Sequence, residues 1–259
     1  MSRGRRRLVV GCLTACAIIA LWTFSISVTS FIAPGRFPSP PQVWDAARQI
    51  GGEGYADANL WEHALHSLRL VIMGFLVAVS LGAPLGILMG ASRRFDGFIT
   101  PVFSLIRPIP PLAWIPLAIL WLGLGDGAKI MVIFFAAFVP SVINSHAGVR
   151  AIEPHFLEAS RVLGAGGFTH IREVLVPGAM PMIFTGLRLS LQASWTTLVA
   201  AELVGALAGL GRVLNLAQQD IYPAMIVVAM AAVALLGWAT THLLDIIESR
   251  AMPWLPARA

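Results

Sequence analysis

Arg107, Arg188 and Glu202 are charged side chains that lie inside or at the edge of strongly apolar stretches of this sequence. A charge surrounded by hydrocarbon is costly, so such a residue is expected to be either functional or paired with an opposite charge. A guanidinium binds the oxygens of sulfonate, nitrate or carboxylate groups through its fork of donors, so the two arginines could attract a small anion. Alternatively, each pairs with an acidic neighbour and holds helices together. For Glu202 the sequence leaves two interpretations: an ion pair with Arg212, or a role in an external gate.

Other residue patterns give little indication of catalysis or metal binding. His63 and His66 stand three residues apart, an acceptable spacing for two metal ligands on a helix, but no third ligand is evident. No Gly-Lys-Ser/Thr sequence of the kind that cradles phosphates occurs, so we expect the chain not to hydrolyse ATP. Cys12 and Cys16 share one helix face, where neither a disulfide nor a metal site is expected. We therefore predict no catalytic residue, no metal and no cofactor bound by this chain.

The elements that must position these residues are membrane helices. Of the 259 residues, 57% are hydrophobic and only 12% are charged, whereas about 25% are charged in a soluble domain. The mean hydropathy is +0.78. The 18 basic residues give a net charge of +5, but they are scattered and lack interleaved aromatic residues, which argues against nucleic acid as a partner.

Six apolar runs are each long enough to cross a bilayer core of about 30 Å, which takes roughly 20 residues. They are Leu8 to Phe31, Leu68 to Gly90, Phe98 to Leu124, Ile130 to Gly148, Met182 to Leu207 and Tyr222 to Ile247. The first run is too long for the apolar core of a signal peptide and is read as a retained helix. The sequence thus predicts an all-α membrane protein of six transmembrane helices, with the lipid bilayer as its surroundings.

The basic residues predict the orientation, since basic loops resist translocation. With the N-terminus inside, eleven basic residues are cytoplasmic: Arg3, Arg5, Arg6, Arg7, Arg93, Arg94, Arg150, Arg161, Arg172, Arg250 and Arg258. Four are external: Arg36, Arg48, Lys129 and Arg212. Both termini are therefore predicted to be cytoplasmic. We expect a first helix and external segment at 1–65, a core membrane domain at 66–250 with a cytoplasmic loop at 150–180, and a cytoplasmic tail at 251–259.

The third run is interrupted by prolines. Pro108, Pro110, Pro111 and Pro116 remove backbone donors, which lipid tolerates only where neighbouring helices or a cavity satisfy the freed carbonyls. We expect this helix to line a pathway or the core of a dimer; a plain packing kink is the alternative. Outside the runs, Val43 to Ile50 and the segment Ala208 to Ile221 are each expected to form a short external helix.

The long loop is expected to contain a short helix, Pro154 to Leu163. The small side chains of Ala159 and Ser160 would let a partner backbone approach closely, and Gly164 would supply a stop or a sharp turn. Such a helix can sit in a groove of a partner subunit and carry its movement into the membrane. An amphipathic helix resting on lipid is the alternative, but it would require a wider apolar face and a row of basic residues.

This loop resembles the signature segment of binding-protein-dependent importer permeases, in which an acidic and two small residues precede a glycine, and an apolar residue and a proline follow. The matching residues are Glu158, Ala159, Ser160, Gly164, Val174 and Pro177. Ser160 stands where alanine is usual, and Val174 and Val176 stand where isoleucine and leucine are usual. The resemblance implies that Glu158, Ala159, Ser160, Gly164 and Pro177 couple the chain to an ATPase.

Further motifs resemble the taurine, alkanesulfonate and nitrate importer permeases. They are Pro38 to Pro41, Arg107 to Leu117 with the following Trp121 to Gly125, and Trp195 to Leu203. The resemblance implies the type I ABC importer permease fold (MetI-like), a homodimer, two ATP-binding subunits that hold ATP and Mg, and a periplasmic or surface solute-binding protein. The pathway or substrate candidates are Arg107, Pro110, Pro111, Trp114, Arg188, Trp195 and Glu202.

The resemblance leads us to expect the permease subunit of an ATP-driven importer in a bacterial inner membrane, with taurine or another sulfonate as its cargo. Nitrate or an aromatic carboxylate is the alternative cargo. A secondary transporter would show a broken helix in each of two corresponding halves, but only one such span is evident. An intramembrane enzyme would place paired His and acidic residues at one depth, which the sequence does not do.

Overall fold

The computed structural model describes residues 14, 17, 20–24 and 37–254, and this part of the chain contains helices and no β-strand. A short 3-10 helix, Pro111–Trp114, precedes α4. The helices are α1 (Pro40–Gly52), α2 (Leu60–Ala91), α3 (Arg93–Ile106), α4 (Ile115–Leu122), α5 (Asp126–Arg150), α6 (Pro154–Val162), α7 (Gly167–Gly205), α8 (Leu210–Gln219) and α9 (Pro223–Ala251).

Four helices, α2, α5, α7 and α9, are long and apolar enough to cross a bilayer. They confirm the second, fourth, fifth and sixth predicted spans. The third predicted span is two helices, α3 and the 3-10/α4 segment, which meet at an angle of 78°. The predicted first span, Leu8 to Phe31, lies largely outside the described residues. The described part therefore contains four or five spans, and it does not reach the predicted six.

The broken pair connects opposite ends of the bundle. At one end, the Arg150 guanidinium at the close of α5 donates to the carboxylate of Asp96 in the first turn of α3, at 3.0 Å. At the other end, His66 near the start of α2 lies 3.3 Å from Asp126, the first residue of α5. We call these the α6 end and the α8 end, after the short helix that each carries. Because α3 starts at the α6 end and α4 leads to the α8 end, the pair traverses the bundle once.

Small residues let the central helices approach closely. Gly74, Ala78, Gly82, Gly86 and Gly90 recur every fourth residue and form one stripe along α2. This stripe faces α5: a Cβ on Gly74 would lie 2.5 Å from Ile133, and one on Gly90 would lie 2.5 Å from Val149. In lipid, where no hydrophobic effect drives helices together, such stripes favour tight backbone packing.

Helix α7 starts earlier than the sequence predicted, at Gly167 and not near Met182. The charged residues His170, Arg172 and Glu173 suggested a loop, but they lie in the first turns of the helix. A π-helical segment, Ile171–Leu175, leads into the α-helical part without a break. At 1.5 Å per residue, the 39 residues of α7 extend about 58 Å. A helix of that length protrudes well beyond a hydrocarbon core of about 30 Å and can carry charged residues in its protruding turns.

Two short helices cover the α8 end. The expected external helices are present as α1 and α8, and both pack on the start of α9. Ile50 of α1, Val213 of α8 and Met225 of α9 are fully buried together in one cluster. The Tyr55 hydroxyl, in the loop after α1, donates to the Asp220 carboxylate at 2.5 Å. Burial, together with that hydrogen bond, raises the pKa of Tyr55, so the loop stays tied to the end of α8 at ordinary pH.

Candidate functional site

The helix predicted between Pro154 and Leu163 is present as α6, Pro154–Val162, and Gly164 lies in the turn that follows it, as expected. Gly164 has a φ of +80°, a left-handed conformation that glycine adopts without strain. The N–H of Ala165 donates to the carbonyl of Ser160 at 2.9 Å. This six-to-one hydrogen bond is the mark of a Schellman motif, which satisfies a carbonyl that the end of a helix leaves free.

Ser160 faces its own chain, which corrects the expectation that it opens a path for a partner. Its side chain is only 6% exposed. The hydroxyl oxygen lies 2.8 Å from the carbonyl of Leu157, to which it donates, and 3.0 Å from Nδ1 of His170 in α7. Of the two small residues, only Ala159 is exposed. Ser160 thus fastens α6 to the first turn of α7.

Helix α6 and the residues that follow it also carry large apolar side chains that are exposed. Phe156 is 57% exposed, and Leu163 beyond the helix end is 85% exposed. Val162 and Phe168 are also strongly exposed, and Glu158 is an exposed carboxylate in the middle of α6. Several large apolar side chains exposed to water in one short segment are unusual and are typical of a binding surface. We call these five residues the α6 surface.

Pro177, the last member of the signature segment, lies apart from the α6 surface. It is half-buried in α7, two residues after the π-helical segment. Proline lacks the N–H that a helix interior needs, and a π-turn is one way to absorb that loss. Its contribution is therefore to the geometry of α7 and not to the exposed surface.

The prolines of the third run break the helix where the sequence predicted. α3 ends with the N–H of Arg107 donating to Phe103, and the 3-10 helix starts after Pro110. Arg107 and Pro110 are exposed, Pro111 is half-buried, and Arg107 has no ion pair within the described residues. The ring of Trp114 stacks on Phe135 of α5, with centroids 4.2 Å apart and an angle of 10° between the planes. This contact anchors the second half of the broken span to α5.

Two of the pathway candidates are cross-links between α7 and α9. Nε of Arg188 donates to the Asp245 carboxylate at 2.8 Å, and the same guanidinium pairs with Glu248. Trp195 is 5% exposed and donates from Nε1 to the Thr240 hydroxyl at 3.0 Å. The pairing alternative for Arg188 is therefore the one that the structure supports. Trp195 lies in the packed core of the protomer and not on an open surface.

Glu202 is buried, at 1% exposure, near the close of α7. Its carboxylate accepts hydrogen bonds from the Ser67 hydroxyl at 2.8 Å and from the backbone N–H of Gly211 at 2.8 Å. The expected pair with Arg212 is absent from these contacts. Arg212 instead donates to the Asp57 carboxylate at 2.9 Å. The reason is distance along α8: its first turn presents backbone donors to Glu202, and Arg212 projects toward the loop that holds Asp57.

His63 completes this arrangement and is not available to a metal. Its Nδ1 accepts from the backbone N–H of Gly209 at 3.1 Å, so Nε2 carries the proton and donates to the Tyr55 carbonyl at 2.9 Å. Ser67 was not among the predicted site residues, and His63 was considered only as one of a pair with His66. The sequence feature that could have pointed to them is the four-residue spacing of His63 and Ser67, which places both on one face of α2.

The comparisons with known proteins agree with this architecture. The family model described as the inner membrane component of binding-protein-dependent transport systems matches residues 82–253, well over half of the chain. A solved structure of the methionine ABC transporter MetNI in an inward-facing conformation matches with a TM-score of 0.60 at 20% identity. That match covers 81% of this chain and 99% of the compared chain. The predicted all-α permease fold is confirmed.

Three relatives of known name are described as permeases for taurine, aliphatic sulfonates or nitrate. The taurine transport system permease protein of Escherichia coli (strain K12) is 35% identical over 242 residues, which cover 93% of this chain and 88% of that protein. An aliphatic sulfonates transport permease protein of Bacillus subtilis (strain 168) is 31% identical over 253 residues, covering 97% and 90%. The nitrate import permease protein of Synechocystis sp. is 33% identical over 223 residues, covering 84% and 81%.

Proposed function

The chain belongs to the family of binding-protein-dependent transport system inner membrane components, and from that premise we propose that its cargo is taurine or another small sulfonate. As a member it is the membrane-spanning permease subunit of an ABC importer. The observation that carries the cargo proposal is the extent of the taurine permease match, which covers 93% of this chain and 88% of the relative. The relative named for aliphatic sulfonates is matched over a similar extent.

Nitrate is the second candidate cargo, because the nitrate import permease is matched at 33% identity over 84% of this chain. Both candidates present three oxygens around a central atom and carry a negative charge on them. The exposed guanidinium of Arg107 suits either one, since its donors match the spacing of two such oxygens. Arg188 is a weaker candidate because its donors are engaged by Asp245 and Glu248.

ATP hydrolysis is assigned to two partner subunits, which hold ATP and Mg and dock on the α6 surface. This surface suits docking because Phe156, Val162 and Leu163 are exposed while the Ser160 hydroxyl fastens α6 to His170 of α7. A partner groove that covers these side chains gains their apolar area. Glu158 adds a charge that fixes the orientation of the contact.

A second copy of this chain is the partner proposed for the broken span. Residues 107–110 are exposed and non-helical, and Pro108 and Pro110 lack the N–H that would satisfy a carbonyl. Irregular backbone at membrane depth is tolerated only where protein or a water-filled cavity covers it. Two copies facing each other across this break would provide both, with Arg107 directed into the space between them. A solute-binding protein would deliver cargo at the α8 end.

The cargo is tested by uptake into proteoliposomes that contain this chain, its ATPase subunits and the solute-binding protein encoded with them. Radiolabelled taurine should accumulate with ATP, and excess ethanesulfonate should compete more strongly than nitrate. ATP-dependent accumulation of nitrate without accumulation of taurine would replace the first candidate with the second. Arg107→Ala should lower the initial uptake rate, and Arg48→Ala, a change at an exposed arginine of α1, is the matched control.

A further inference from the structure

We propose that Glu202, with Ser67 and His63, clamps α8 to the far end of α7, so that movement of the α6 surface is carried through α7 to α8 on the opposite side of the membrane. The inference rests on the proposed docking of the ATPase subunits at α6. It assigns Glu202 a positioning role, because Glu202 acts through α8 and touches no cargo. Three features of the structure support it.

The clamp holds the first turn of α8 by three consecutive backbone donors. The N–H of Gly209 donates to His63 at 3.1 Å, that of Leu210 to Ser67 at 2.9 Å, and that of Gly211 to Glu202 at 2.8 Å. The first N–H groups of a helix have no partner within the helix, and an acidic acceptor there also gains from the helix dipole. The Ser67 hydroxyl donates in turn to Glu202, so α2 and α7 grip α8 through one connected network.

The backbone at this point is shaped for the carboxylate. Gly209 has a φ of +116°, and a Cβ on either Gly209 or Gly211 would collide with the side chain of Glu202. Both positions thus need glycine for the chain to come this close. All three acceptors are buried, with His63 and Ser67 at 0% and 1% exposure. Separating a buried carboxylate from its donors costs more than breaking an exposed contact, so α8 should follow α7 as one body.

Helix α7 joins the clamp to the α6 surface without interruption. Its first turn holds His170, which contacts Ser160 of α6 at 3.0 Å, and its close holds Glu202. The helix continues through the π-helical segment for about 58 Å in total. We expect a force applied at α6 to reach Glu202 through this one continuous helix. The clamp converts that force into a displacement of α8.

The test follows the labelling of α8 as ATP binds at the other side. A Gln218→Cys reporter on the exposed side of α8, in a Cys12→Ser and Cys16→Ser background, reacts with a membrane-impermeant maleimide. In the complete transporter, ATP should change its labelling rate. Glu202→Ala should reduce that ATP-dependent change by about tenfold, the scale set by losing hydrogen bonds to a charged group. Glu202→Gln keeps an acceptor oxygen and should restore most of it.

Asn215→Ala is the matched control, because it removes a hydrogen bond between α8 and the Leu203 carbonyl of α7 that lies outside the clamp. It should leave the ATP-dependent change intact. Labelling that is insensitive to ATP in the wild type would overturn the proposal, and so would an unaltered response in Glu202→Ala. Taurine uptake by the same proteoliposomes tests the proposed function separately. If the complex transports taurine but ATP does not change the labelling of Gln218→Cys, the clamp proposal is wrong and the importer function stands.

Discussion

At the scale of single residues, the charges of Arg107, Arg188 and Glu202 in apolar runs raise the same question: which group balances each of them. The structure answers differently for each. Arg188 is balanced by two carboxylates of α9, Glu202 by backbone and hydroxyl donors, and Arg107 has no ion pair within the described residues. The sequence shows that a charged residue lies in an apolar run, but it does not show which residue balances that charge. Arg188 and Asp245 are 57 positions apart, and only the packing of α7 on α9 brings them together.

Arg188→Ala should destabilise the protein, because it leaves Asp245 and Glu248 facing each other without their common cation. Hydrogen bonds to charged groups contribute about 1.5–3 kcal/mol, and the unfolding free energy should fall by an amount on that scale. The measurement is thermal unfolding in detergent. Arg107→Ala is the control and should leave the melting temperature unchanged. A variant at Arg188 with wild-type stability would show that the ion pair is screened and contributes nothing.

At the scale of elements, the sequence predicted what local rules decide. The turn at Gly164 after α6, the break after Arg107 and the short helices α1 and α8 all follow from glycine, proline and apolar spacing. The predicted start of α7 was wrong because the charged residues before Met182 were taken to indicate a loop. The clamp was also missed, since its three acceptors come from two helices that are far apart in sequence. Such contacts depend on tertiary packing, which no local pattern specifies.

Changes in the α6 surface should uncouple the permease from its ATPase. Glu158→Lys reverses an exposed charge, and Gly164→Val places a branched side chain at a φ of +80°. No atom lies within 4 Å of the added Cβ, so the strain comes from the backbone and not from a clash. The double variant should insert normally but lose uptake and retain less ATPase on purification. Gly97→Val, at another open position, is the control. Full ATPase retention with normal transport would exclude α6 as the coupling element.

Restoring helical hydrogen bonding at the break should harm transport more than insertion. Pro110 and Pro111 mark the start of the 3-10 helix, and replacing both by Ala returns two backbone donors to a region that we expect to bend as the pathway opens. Membrane levels, measured by immunoblot, should stay near those of the wild type while the initial rate of taurine uptake falls severalfold. An unchanged initial rate of taurine uptake would show that the two prolines serve packing and have no role in gating.

At the scale of the whole molecule, the ends of the helices fix which segments share a side. α1, the start of α5 and α8 lie at the α8 end, tied by the contacts of Tyr55 with Asp220 and of His66 with Asp126. The start of α3 and all of α6 lie at the α6 end, where Asp96 meets Arg150. These contacts show which segments lie at the same end of the bundle. The basic residues then predict which end faces the cytoplasm. The α6 end carries Arg93, Arg94, Arg150 and Arg172, so the positive-inside rule predicts that it is the cytoplasmic end.

Reporter fusions test this topology directly. Alkaline phosphatase, which is active only outside the cytoplasm, should be active when fused after residues 52, 126 and 216, and inactive after residues 95, 165 and 255. A fluorescent protein that matures only in the cytoplasm should give the opposite pattern at each site. The fusion after residue 255 also tests the sixth span, because an even number of crossings returns the C-terminus to the side of the N-terminus. Reversal of either set would place α6 outside, where no ATP is available, and would falsify its assignment as the coupling helix.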